Sequence, residues 1–206
     1  MAKPGVLIQN AKKRGLQGVA ITEHGNKRAP GIEELSQKYN FFILGGMEAS
    51  TELGDILVFG IESFPRELIR AADLRKYVVE AGGVMVAAHP FRYDLSQKPW
   101  LKKPDPVTIE QVAGREIFRL VDAIEVVNGW ATEEDVSFSF QVSDHLGLGG
   151  TGGSDAHAAN EIGWCVTVFE NGIRTEADFL RELKRGRYRA EDRRPEDKKK
   201  PTHGFF

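Results

Sequence analysis

Residues 18–25 read Gly-Val-Ala-Ile-Thr-Glu-His-Gly, a short apolar run that stops abruptly at polar side chains. An unbroken apolar stretch of this length is what a strand buried on both faces requires. The pattern recurs. Phe41-Phe42-Ile43-Leu44 leads through two glycines to Glu48, and Val84-Met85-Val86-Ala87-Ala88 leads to His89. Ala123-Ile124-Glu125-Val126-Val127 leads to Asn128, and the glycine-rich stretch Leu148 to Gly153 leads to Asp155 and His157. Each run reads as a strand that delivers a polar group at its C-terminal end.

Helix-like stretches separate these runs. Val6 to Arg14 places Val6, Leu7 and Ala11 near one helical face, with Gly15 as a C-terminal cap. Gly31 to Tyr39, Leu68 to Ala81, Val107 to Leu120, Glu133 to Leu146 and Thr175 to Arg185 follow. Strands alternating with helices predict an α/β fold with a parallel sheet or barrel, whose reactive groups gather on the rim at the C-terminal strand ends. Gly54 to Ile61 is the exception, an apolar strand set off from Glu48 by Thr51-Glu52-Leu53-Gly54 that reads as a hairpin-like excursion. Lys98 to Pro106 reads as a surface loop. From Gly186 onward seven Lys or Arg stand against four Asp or Glu, with few apolar residues before Phe205 and Phe206, so a poorly packed tail is expected. The organisation is thus one domain over residues 1–190 and a charged, flexible tail over 191–206.

Composition narrows the chemistry. The hydrophobic fraction of 41% and charged fraction of 28% are those of a soluble globular chain. A net charge of −2 supplies no field for nonspecific binding to duplex nucleic acid. The single cysteine, Cys165, excludes an intramolecular disulfide and a thiolate metal cluster, so a metal site would draw on His, Asp and Glu. No signal-like or membrane-spanning run occurs, and a cytoplasmic location is the expectation.

Glu23, His24, Glu48, His89, Asp155 and His157 all fall at predicted strand ends. Taken singly, a histidine there is more often a hydrogen-bonded structural residue than a ligand. In Asp155-Ala156-His157 the two polar side chains are two residues apart, so an extended segment points them to one side. His145, in the last turn of its helix, reads as structural, favoured there by the helix dipole. Cys165, within Trp164-Cys165-Val166-Thr167-Val168, reads as a buried strand residue.

Thr22-Glu23-His24-Gly25, Gly46-Met47-Glu48, Ala88-His89-Pro90, Glu125-Val126-Val127-Asn128-Gly129 and Gly153-Ser154-Asp155-Ala156-His157 resemble, in order, successive motifs of the PHP (polymerase and histidinol phosphatase) family. The resemblance runs from about residue 6 to about residue 190. It implies a distorted (β/α)7 barrel of PHP type carrying two or three divalent ions, Zn²⁺, Mn²⁺ or Fe²⁺, at its rim. It casts Glu48 as a bridging carboxylate, His89 and Asp155 as ligands, and His24 with His157 as the holders of a third ion. Glu23, where the family has Asp, becomes an acceptor that orients a ligand. Arg92 is a candidate to neutralise a phosphate oxygen, and Asn128 to ligate weakly or to bind substrate.

The family opens with a strand ending in His-x-His, and no such motif is present, so the first strand is expected to be missing and fewer ions to bind. A truncation, a natural shortened form and a relic without turnover all remain open. The activity implied is metal-dependent hydrolysis of phosphoesters by Glu48, Asp155 and Arg92 acting with the ions, on a small phosphorylated metabolite or short nucleotide, with no membrane partner. A noncatalytic metal-binding module and an esterase acting on non-phosphate esters are the alternatives.

Overall fold

Six strands form one sheet in the order β1 (Gly18–His24), β2 (Phe42–Thr51), β3 (Gly54–Phe59), β4 (Val84–Ala87), β5 (Ala123–Asn128) and β6 (Gly149–Gly153), curled into a half-barrel. This computed structural model describes residues 4–68, 70–92 and 108–199. β1 and β2 are parallel, as are β4, β5 and β6. β3 runs antiparallel to both of its neighbours. The stretch expected to be an excursion is therefore a full member of the sheet, joined to β2 by the tight turn at Glu52 and Leu53. The described residues form a mixed six-stranded half-barrel, consistent with a barrel-like α/β fold.

The helices fall largely within the stretches expected. They are α1 (Pro4–Lys13), α2 (Ile32–Tyr39), α3 (Ala71–Glu80), α4 (Ile109–Ala113), α5 (Ile117–Leu120), α6 (Glu133–Leu146), α7 (Glu176–Arg185) and the short α8 (Glu196–Lys199). Helix α1 turns Ile8 and Ala11 inward but leaves Val6, expected on its apolar face, exposed. Thr132 and Thr175 open α6 and α7 with reciprocal capping boxes, and left-handed Gly147 and Gly186 close them. The single helix expected over Val107 to Leu120 is instead two, because Gly114 ends α4.

Alternation along the strands sorts the core into two layers. Met47, Ile56, Val58, Met85, Ile124 and Val126 face Leu74 and Val78 of α3, Phe118 of α5 and Val142 of α6. Leu44, Phe59, Val84, Val86 and Ala123 face the other way, against Phe179 and Leu183 of α7. Each fully buried Val, Leu, Ile, Phe or Met among them contributes roughly 1.5–3 kcal/mol. Asn10 Nδ2 of α1 and Arg14 Nη2 just after it donate to the carbonyls of Ala159 and Asn160 at 3.1 and 2.8 Å, which ties the chain after β6 to the β1 end of the sheet.

Packing continues past residue 190. β8 (Tyr188–Asp192) pairs antiparallel with β7 (Cys165–Phe169), and Arg194 is buried, held by Asp192 and by the Ala131 carbonyl. A polar composition misled there, because a guanidinium whose donors are filled can be buried along with its aliphatic stem. Lys98 to Pro106, His203 and Phe205-Phe206 lie outside the described residues. Among the described residues no helix is long and apolar enough to cross a membrane.

Candidate metal centre

Glu48 lies inside β2, because the strand runs on through Gly45 and Gly46. A β-carbon at Gly45 would meet the side chain of Arg28, and one at Gly46 would meet the ring of Phe59, so a larger residue at either position would have to displace that side chain. Register sets Glu48 beside His24, the last residue of β1. Because β3 is antiparallel, its first residues reach the rim that the parallel strands reach with their last. Asp55 stands opposite Ser50, accepts its hydroxyl at 2.8 Å, and so shares a face with Glu48.

His89 follows β4 and takes a positive φ of 30°. Its Nε2 lies 3.3 Å from Glu48 Oε1, and its backbone N–H donates to Glu125 Oε2 at 2.9 Å. Asp155 follows β6 with a φ of 46°. Among the described residues only one other non-glycine residue is left-handed, Asn40, which caps α2. Such backbones are costly for residues with side chains and concentrate at functional sites.

Glu48, Asp55 and His89 each offer a ligand atom, and these atoms all lie within 4.8 Å of one another. Beside them is a second group. Arg92 Nη2 donates to Asp155 and, at 2.7 Å, to Asn128 Oδ1. Asn128 Nδ2 donates to Glu125 Oε2 at 2.9 Å. His157 Nδ1 and Trp130 Nε1 both reach the Asp155 carbonyl at 2.9 Å, with the two rings edge to face at 5.9 Å. Below lies a cavity of about 10 Å³ bordered by Arg92, Glu125, Asn128 and Asp135, room for one water.

Burial pushes the Glu125 carboxyl up to about 7 against the pull of His89 and Asn128. Burial alone would lower the His89 imidazole, but its bond to Glu48 and the nearby carboxylates prevail and hold it raised. Burial alone would raise Asp155, but the bond and charge of Arg92 prevail and hold it low. Three carboxylates, Glu48, Asp55 and Asp155, together with the partly protonated Glu125, thus surround one guanidinium and one imidazole. Unbalanced buried negative charge is expensive, and a divalent cation on oxygen and imidazole donors offsets it, so the residues present fit such an ion.

The expected residues divide unevenly. Glu48 and His89 come together. Asp155 pairs with Arg92, and Asn128 is buried with both ends of its amide engaged inside the protein. His24, 3.9 Å from Glu48 Oε2, and His157, 3.8 Å from Asp155 Oδ1, are largely exposed, and each faces a different carboxylate. Glu23 is exposed, points to the face opposite His24, and forms no hydrogen bond through its carboxylate among the described residues. Asp55 and Glu125 were not anticipated. The signals were an acid opening an apolar strand just after a tight turn, and an acid in the middle of Ala-Ile-Glu-Val-Val.

Comparison with known proteins bears on the family and the fold. A family described as PHP-associated matches residues 137–188. An uncharacterized protein of Methanocaldococcus jannaschii is 30% identical over 132 residues, 62% of this chain and 67% of that protein. Three solved structures share the fold. PsfC of Pseudomonas syringae PB-5123 has a TM-score of 0.64 at 19% identity, covering 95% of this chain and 84% of its own. A candidate metal-dependent phosphoesterase of Bifidobacterium adolescentis has a TM-score of 0.59 at 18% identity, covering 90% and 91%. An amidohydrolase of Chromobacterium violaceum with bound sulfate and no metal has a TM-score of 0.55 at 18% identity, covering 76% and 82%. The chain belongs to the PHP-domain family.

Proposed function

We propose that this chain is a metal-dependent hydrolase of phosphoesters, holding a divalent cation on Glu48, Asp55 and His89. The observation that carries the reading is the convergence of those three ligand atoms within 4.8 Å on an acidic rim. In this reading the half-barrel is the greater part of a distorted (β/α)7 barrel. A bound divalent ion supplies an acidified water and neutralises charge that builds on a phosphoryl group.

The chain's own residues do the rest. His89 Nε2, 3.3 Å from Glu48 Oε1, orients that carboxylate, and Asp55, held by the Ser50 hydroxyl, stands on the same face of the sheet. Arg92, steadied by Asp155 and Asn128, is the cation placed to meet an anionic substrate group. A carbonyl only accepts, so His157 Nδ1 carries the proton given to the Asp155 oxygen, and Nε2 is left to accept a proton or a ligand. Trp130, packed on that imidazole, walls the same side of the rim.

The test is hydrolysis of p-nitrophenyl phosphate and bis(p-nitrophenyl) phosphate with Mn²⁺, Zn²⁺ or Fe²⁺ added, beside Glu48→Gln. Metal-stimulated turnover that falls about a hundredfold or more in Glu48→Gln supports the reading. Tight metal binding without phosphoester cleavage would overturn it, and cleavage of p-nitrophenyl acetate in its place would redirect it to non-phosphate esters.

A further inference from the structure

We propose that Glu125 is a positioning residue whose single carboxylate oxygen sets both the His89 turn and, through Asn128, the Arg92 guanidinium. Its catalytic consequence rests on the hydrolase reading above. Its geometry does not.

The β4–β5 ladder ends at the pairs Val86 with Ala123 and Ala87 with Ile124. Beyond it the Ala88 N–H turns to the Asp55 carbonyl, and the N–H of His89 meets a side chain of β5 in place of its backbone. Glu125 Oε2 takes that bond at 2.9 Å. The turn that follows closes on itself, with the Arg92 N–H donating to the His89 carbonyl at 3.1 Å. His89 and Arg92 are therefore the two ends of one turn, and Glu125 holds its first donor while the backbone takes a positive φ.

The same oxygen accepts Asn128 Nδ2 at 2.9 Å. Asn128 Oδ1 in turn accepts Arg92 Nη2 at 2.7 Å and the Trp130 N–H at 2.9 Å. The amide cannot be reversed, since its NH₂ would then face two donors. One branch runs from Glu125 through His89 to Glu48, and the other through Asn128 and Arg92 to Asp155. The second carboxylate oxygen of Glu125 lies against Gly153, where no β-carbon fits. An ionisable group in the middle of an apolar strand is costly to bury. Packing gives no reason for an acid at this position, whereas holding two neutral donors in place does.

The experiment uses the metal-free full chain. Nitrogen-15 NMR follows the His89 ring nitrogens and the Arg92 Nε in Glu125→Ala, Glu125→Gln and Asn128→Ala, each first shown to be folded by thermal unfolding. Glu125→Ala is expected to shift both sets of signals, Asn128→Ala to shift Arg92 alone, and Glu125→Gln, which keeps an acceptor oxygen, to return both toward wild type. With metal added, Glu125→Ala is expected to lose about 10- to 100-fold in affinity, and Glu125→Gln to stay within about threefold. A folded Glu125→Ala with both sets unmoved overturns the proposal. Should that variant fail to fold, equal displacement of His89 and Arg92 in Asn128→Ala overturns it instead. A wild-type chain that binds no metal and hydrolyses nothing sinks the hydrolase reading and leaves the NMR result to decide this one.

Discussion

Glu125 Oε1 occupies the place where a β-carbon at Gly153 would stand, so the two residues cannot both carry bulk. Gly153→Ala is expected to cost about 1–3 kcal/mol by forcing the buried carboxylate aside. The double variant Gly153→Ala with Glu125→Ala should recover part of that loss, a coupling that a thermal-unfolding cycle reads directly. Strict additivity would show that the overlap is relieved elsewhere.

Asp55 and Glu23 make opposite predictions. Asp55 shares the cation cluster with Glu48 and His89, so Asp55→Asn should weaken divalent-metal binding by about tenfold or more in a calorimetric titration. Glu23 faces away from that cluster, so Glu23→Gln should leave the affinity unchanged.

Arg28 joins three elements at the N-terminal end of β2. Its guanidinium meets Glu33 of α2 at 2.9 Å, Glu62 after β3, and Glu176 of α7 at 3.5 Å, beside a cavity of about 220 Å³. The carboxylates are partly or largely exposed and can rehydrate, so Arg28→Met should cost only about 1 kcal/mol. Because it leaves three acids facing one another, that cost should shrink at high salt, as denaturant midpoints at low and molar NaCl will show. Metal affinity should not change.

Cys165 is buried in β7, and burial pushes its thiol up to about 12 from an ordinary value of 9.0. The folded state therefore keeps its proton over a window in which the unfolded state gives it up. Stability contributed by this group is full below pH 9 and falls as pH climbs toward 12. At pH 8.5 iodoacetamide should label the native chain at least about tenfold more slowly than the urea-unfolded chain. Equal rates would place the thiol at the surface.

Much of the architecture was legible because it rests on local signals. Thr132 and Gly147 bracket α6, and Thr175 and Gly186 bracket α7, with side-chain and backbone chemistry that any reader of the chain can find. Glu48, His89 and Asp155 could be placed on one rim because parallel strands present their C-terminal ends together. Asp55 escaped that rule, since an antiparallel strand brings its beginning to the same rim. Glu125 escaped because its partners, a backbone N–H and an amide, are supplied by tertiary contact. The boundary at 190 failed at Arg194, whose burial depends on Asp192 and on a carbonyl distant in sequence.

The β2–β3 hairpin carries Glu48 and Asp55 on its two arms, closed by the turn at Glu52 and Leu53. By contrast His89 is 41 positions from Glu48, and Asp155 is 63 from Arg92. Closing a short loop loses less chain entropy than closing a long one. The two acids are thus brought together by a local contact, and the imidazole and guanidinium arrive only with the rest of the sheet. Loop-closure entropy therefore favours the two acids meeting first, and the order in which the site assembles follows the contour of the chain.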